Sequence, residues 1–184
     1  MTVALKQLTD FFIQIGADQV GHTEKSYLAH AIGVHQDLRT WGCDEELCRA
    51  GLFHSIYGTQ KFQKFALPTD RRDELREMIG ERAERLAFVN CLMDRESFDR
   101  AISQTAGPYV LGNRVTGEPI NLTDVEFDDL CRVHLCDWLE QVPRCREWDY
   151  RREAYQGLAE RLGGVARASY NRVYAAETAS STDS

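Results

Sequence analysis

Apolar residues recur at helical spacing along nearly the whole chain. Leu5, Leu8, Phe11, Phe12 and Ile15 fall on one face of a helix, and Gly16 offers a stop. A second helix is predicted from about Glu24 to Trp41, with Tyr27, His30, Val34, Leu38 and Trp41 as its apolar stripe, ended by Gly42. Asp44 can cap a third helix because its carboxylate accepts the free N–H groups of a first turn. Leu47, Ala50, Gly51 and His54 would form the inner face of that helix, which should stop near Gly58.

Beyond Pro68, the run TDRRDELREMIGERAERLAFVNCLM reads as helical with an interruption at Gly80, turning Leu75, Met78, Ile79, Leu86, Val89 and Leu92 inward. A short helix is expected between Asp94 and Ala106. The Gly- and Pro-punctuated stretch 109–122 is the one strand candidate, a loop or short hairpin. Thr123 and Glu126 form a capping box before a helix that should reach Val142, where Pro143 closes it. Helical stretches near 144–161 and 165–176 follow, and ETASSTDS has the composition of a disordered end. The pattern predicts an all-α bundle with at most one hairpin, as a single domain over 1–178 with a tail at 179–184.

Composition narrows the function classes. The chain has 184 residues, 43% of them apolar, and no run near the roughly 20 apolar residues that span a bilayer. The start, MTVALKQLTDFF, lacks the features of a secretory signal, so a cytoplasmic address is expected. The net charge of -7, with basic residues interleaved among acids, disfavours a nucleic-acid partner. Six cysteines without a C-x-x-C pair read as reduced thiols rather than a zinc ribbon or disulfide framework.

The informative anomaly is polar residues on inward stripes. His30 sits between Tyr27 and Val34, and His54 ends the run AGLF. Leu130, His134, Asp137 and Gln141 share a face of the late helix. A lone buried carboxylate costs several kcal/mol, so Asp137 requires a cation, a metal or dense hydrogen bonding. Two imidazoles and one carboxylate from three segments supply nitrogen and oxygen donors of the kind that one divalent zinc, iron or manganese ion takes.

These segments, YLAHAIGVHQDLRTWGCDEELCRAGLFHS and VHLCDWLEQ, resemble the HD (histidine-aspartate) superfamily over residues 20–142. The form Y-L-A-H-A-I-G-V is similar to the hydrolase half of RelA/SpoT-type alarmone enzymes, and the His30-to-His54 spacing is similar to compact HD oxygenases that cleave phosphonates. The resemblance implies His30 as the first histidine, His54 as the doublet histidine and Asp137 as the closing aspartate. It breaks at Ser55, where the doublet aspartate would stand, which disfavours a dinuclear centre. It also breaks at Ile56, Tyr57, Gly58 and Thr59, where alarmone hydrolases carry an acidic pair that helps activate water.

His22 is the leading substitute for the missing ligand and His134 the second, while His35 is expected on the surface. Ser55, Tyr57 and Thr59 are the candidate substrate or proton-relay residues. Arg82, Arg85 and Asp94-Arg95 read more readily as a solvated charged face, with Glu81 and Glu84, than as a phosphate grip. The expected activity is hydrolysis of a small phosphate ester or anhydride, nucleotide-like in the widest case, by a metal-activated water. A non-catalytic ligand-binding domain, in which Asp137 pairs with Arg132 or His134, and an iron-dependent oxygenase are the alternatives.

Overall fold

The computed structural model describes residues 4–22 and 24–180, except the side chains of His22 and of 178–180. Among the described residues there are nine α-helices and two small antiparallel ladders. The order is α1 (Leu5–Gln14), β1 (Gly21–His22), β2 (Lys25–Ser26), α2 (Tyr27–Thr40), α3 (Glu45–Leu52), α4 (Arg72–Ile79), α5 (Glu81–Leu92) and α6 (Arg95–Ala101). It continues through β3 (Tyr109–Gly112), β4 (Pro119–Leu122), α7 (Asp124–Cys145), α8 (Arg152–Leu162) and α9 (Gly164–Ser180). The chain is mainly all-α with a short hairpin, β3–β4, whose register runs from Tyr109 opposite Leu122 to Gly112 opposite Pro119.

Local chemistry sets most boundaries. Asp44 caps α3 by accepting from Leu47 N at 2.9 Å, and the Thr123–Glu126 capping box opens α7. Gly80, at φ +100°, separates α4 from α5. A Cβ there would also lie 2.4 Å from Glu46 Oε1, so the break needs glycine on two counts.

Four boundaries differ from the sequence reading. β1–β2 is a second ladder, with Gly21 opposite Ser26, and it shortens α2 to start after its cap, Ser26. α3 ends at Leu52, because Ile56 N and Gly58 N bond three residues back, to Phe53 O and Ser55 O, and wind the chain into successive turns. His54 therefore lies in a turn, not on a helix face. α7 runs through Pro143 to Cys145 and stops only at left-handed Arg146. Proline in the last turn removes one ladder bond, while Gln141 and Val142 just before it are held in the core. At the far end α9 continues to Ser180, so residues 177–180, expected in the disordered end, have helical backbone; 181–184 lie outside the described residues.

The core positions the site. α2 packs on α3 and α7, α3 on α5, and α7 also on α5, α8 and α9. The long α7 thus lies against most of the other helices, and its buried face carries Asp137, Trp138 and His134 among Leu130, Val133 and Leu135. Phe12, Phe53 and Tyr27 close one end of the core, with Phe12–Phe53 centroids 4.9 Å apart. No helix among the described residues is long and apolar enough to cross a membrane.

Candidate metal centre

α2 brings His30, the turn after α3 brings His54, and α7 brings Asp137 to one buried point. His30 Nε2 lies 3.3 Å from His54 Nε2 and 3.0 Å from Asp137 Oδ1, and His54 Nε2 lies 3.3 Å from the same oxygen. Donors bound to one ion at about 2.0–2.2 Å stand roughly 3.0–3.5 Å apart, so the three separations fit a single metal ion. Among the described residues this is the one His/Cys/Asp/Glu set close enough to hold one.

Both imidazoles are oriented from behind. His54 Nδ1 donates to Gly51 O at 2.7 Å, and His30 Nδ1 donates to Glu140. Each ring thereby directs its Nε2 at the shared point, and a carboxylate behind a ligating imidazole raises its basicity. The turn carrying His54 is itself pinned, its carbonyl accepting from Asn90 Nδ2 at 2.8 Å and from Cys91 Sγ.

Glu140 was not expected from the sequence. One turn past Asp137, it reads as a solvated acid, yet it also binds Lys25 at 2.8 Å and Arg144 at 2.6 Å. It approaches α2 at Gly33, where a Cβ would lie 2.7 Å from Glu140 Oε1. The signal available in the chain was a glycine inside a helix, one turn after a histidine.

The electrostatics follow this wiring. Burial alone would lower His30, but its bonds to Asp137 and Glu140 outweigh burial and push it up to about 9. Burial alone would raise Asp137, and the His54 and His30 rings facing it instead hold it well below the carboxylate range. Glu140 is likewise drawn down to about 2 against its burial by His30, Arg144 and Lys25. A metal here would displace the proton shared by His30 and Asp137.

Two of the three donors, His54 and Asp137, line a cavity of about 180 Å³, while His30 is wholly buried beside them. Ser55 and Thr59 line it with His54 and Asp137, as do Lys61, Lys64, Arg95, Gln141, Trp138, Tyr150 and Tyr155. Ser55 is buried, with its hydroxyl beside the Tyr27 phenol. Thr59 closes a turn with Phe62, its Oγ1 accepting from Phe62 N at 2.9 Å. Tyr57 does not line the cavity; its hydroxyl donates to buried Glu84 at 2.9 Å, and Arg72 grips the same carboxylate at 2.7 and 2.9 Å. The side chain of His22 lies outside the described residues. A larger open groove of about 1130 Å³ contains none of the three donors, and its Arg151, Arg152 and Arg161 are matched by Asp99, Asp149 and Asp128.

Three further expectations are corrected. His35 is buried, not at the surface, because α2 is enclosed on that side too. Asp137 does not pair with Arg132, which binds Asp129, nor with His134, which faces Arg95 and Arg151. The charged face around Arg82 is not a set of solvated in-helix pairs. Arg82 reaches Asp44 and Asp129, Arg85 reaches Glu126, and Glu84 is wholly buried.

His134 belongs to a network beside the trio. Its Nδ1 donates to Asn90 Oδ1 at 3.1 Å, leaving Nε2 to accept from Arg95 at 2.7 Å and Arg151 at 2.9 Å. Burial and the two guanidinium groups keep the ring neutral, well below the ordinary imidazole value.

Fold and site together define a mainly helical protein with a buried two-histidine, one-aspartate set able to hold a metal ion. Residues 11–95 are similar to a family described as a domain of unknown function, DUF6817. That match spans His30, His54, Ser55 and Arg95 and leaves Asp137 outside it. Neither a curated protein nor a solved structure matches the chain.

Proposed function

We propose that this chain is a mononuclear metal-dependent hydrolase of a small phosphate ester or anhydride, of the HD type. The observation that carries the reading is the convergence of the His30, His54 and Asp137 donors, two of which, His54 and Asp137, line a cavity that also presents Lys61, Lys64 and Arg95. A divalent zinc, iron or manganese ion, when bound, would supply a Lewis acid and a water of lowered pKa. The chain's own groups do the rest. Glu140 and the Gly51 carbonyl hold the two rings in the tautomer whose Nε2 lone pairs face inward. Lys61, Lys64 and Arg95 favour an anionic substrate, and Trp138, Tyr150 and Tyr155 wall off bulk water. Ser55 and Thr59 offer hydroxyls to the substrate or to the attacking water. A single set of donors, with Ser55 in place of a further carboxylate, favours one ion over the pair that HD oxygenases use.

The test is metal content and turnover of protein purified without chelator. Wild type should carry or take up one equivalent of metal, and His54→Ala and Asp137→Ala should lose it. Phosphate monoesters and anhydrides should be hydrolysed in the presence of manganese, iron or zinc and not with chelator. Wild-type protein that takes up none of these metals overturns the reading.

One observation favours a second reading, a non-catalytic binding domain. Among the described residues Asp137 is the one acidic residue lining the cavity, and it is itself a donor of the cluster, so none of the described carboxylates lining the cavity is left over to act as a general base. Stoichiometric metal and ligand binding without turnover of any phosphorylated compound would select it.

A further inference from the structure

Arg95 is the one buried arginine among the described residues, and unlike the partly buried Arg114, whose guanidinium bonds the Cys91 and Gly58 carbonyls, its side chain meets no oxygen partner. Arg72, Arg82, Arg151 and Arg161 each meet a carboxylate. Arg95 is only 8% exposed, yet among the described residues it forms no ion pair. Its guanidinium is bonded through Nη1 to the His134 ring alone, and its Nε is buried without a partner. A neutral imidazole has one lone pair to give, and here Arg151 shares it. The result is a positive charge taken out of water with donors to spare, an arrangement that is strongly unfavourable unless an anion completes it. The side chain lies on the wall of the cavity that holds His54 and Asp137.

We infer that Arg95 is the anchor of a small-oxyanion subsite, in which its free guanidinium edge binds a phosphate or carboxylate group of the substrate beside the His30–His54–Asp137 cluster. The inference rests on the reading of this cavity as the reaction site and narrows its substrate. Arginine's planar fork suits a two-oxygen grip on such a group. The cavity, about 180 Å³, is close to one that holds a benzene-sized molecule, on the order of 150 Å³. It encloses the anionic group and a few further heavy atoms, so a nucleotide would extend outside it. The His134–Asn90 relay ties the anchor to the metal side, since Asn90 also donates to the His54 carbonyl.

The experiment titrates chelator-treated full-length protein with orthophosphate and, separately, acetate by calorimetry, using wild type, Arg95→Lys and Arg95→Met, and measures zinc and manganese uptake in parallel. Wild type should bind at least one of the two anions without metal. The stronger of the two identifies the group. Arg95→Met should weaken that binding at least tenfold, and Arg95→Lys should fall between. Arg95→Met should also melt no lower than wild type in anion-free buffer, because it removes an unmatched buried charge, and should take up metal as wild type does. Absence of anion binding in wild type, unchanged binding in Arg95→Met, or a large fall in melting temperature in that variant overturns the inference. Anion binding without metal uptake would sink the metal centre and leave the subsite standing. Metal uptake without anion binding would do the reverse.

Discussion

Gly33→Ala is the sharpest perturbation of the proposed metal centre, because it touches no donor. In an ordinary helix interior, the change should stabilise by about 1 kcal/mol, since glycine loses more backbone freedom on folding. Here the added Cβ would lie 2.7 Å from Glu140 Oε1, 2.9 Å from Cγ and 3.0 Å from Cδ. Carbon contacts are comfortable at about 3.5–4.0 Å, so the whole Glu140 side chain must move, not just its tip. Moving it breaks the bond that orients His30. Loss of such a supporting carboxylate typically lowers metal affinity about 10–100-fold, or roughly 1.4–2.7 kcal/mol.

The expected signature is therefore a split: metal-free stability near that of wild type, with the helix gain offset by the lost contacts of Glu140, and zinc or manganese affinity at least tenfold weaker. Competition against a chromophoric chelator measures it for wild type, Gly33→Ala, Glu140→Gln and the double variant. If both act through the same contact, the double variant should bind no worse than Glu140→Gln alone. Equal affinity in wild type and Glu140→Gln would refute the supporting role of Glu140. Additive losses would refute the claim that Gly33 acts through it.

Three other outcomes follow from the packing around His35, Glu84 and the cysteines. Burial holds His35 below its ordinary value of 6.5, and among the described residues neither ring nitrogen has a partner at hydrogen-bond distance, Glu45 standing 3.9 Å away. A depressed folded pKa means the unfolded chain binds the proton more readily, so the His35 contribution to stability falls as pH drops below about 6.5. His35→Leu should be more stable by about 1 kcal/mol at neutral pH, with the gap widening towards pH 5 in urea melts; parallel stability-versus-pH curves would contradict this. Glu84→Ala strands Arg72 and Tyr57 and should cost about 3–5 kcal/mol, lowering the melting temperature by roughly 10 °C, whereas a loss under about 2 °C would show the cluster to be inessential. Of the six thiols, Cys48, Cys91, Cys131 and Cys136 are buried, and burial pushes Cys91 up to about 12 and Cys48 up to about 11. A thiol reagent at pH 8 should therefore modify only the half-buried Cys43 and Cys145 in native protein, and rapid reaction of a third would count against the packing.

Much of the fold was legible because its causes are local. The helical stripes, the Asp44 cap, the Thr123–Glu126 box and the break at Gly80 depend on residues three or four apart, which the chain displays directly. His30, His54 and Asp137 were legible for a related reason: each is a polar residue in an apolar setting, and the structure brings all three together. The element carrying His54 was misread, because the turns after Leu52 keep the apolar run that a longer helix would have.

What only tertiary structure decided lies in contacts between distant segments. His30 and Glu140 are 110 positions apart, and nothing near Glu140 distinguishes it from a solvated acid until α2 and α7 cross at Gly33. His35 became buried and Arg95 became an unmatched charge for the same reason, neighbours supplied by other helices. Helix formation is set by near neighbours in sequence, whereas the worth of a charge is set by what surrounds it in space. The chain by itself therefore determined which donors exist, and packing determined which of them share water, protons or one another.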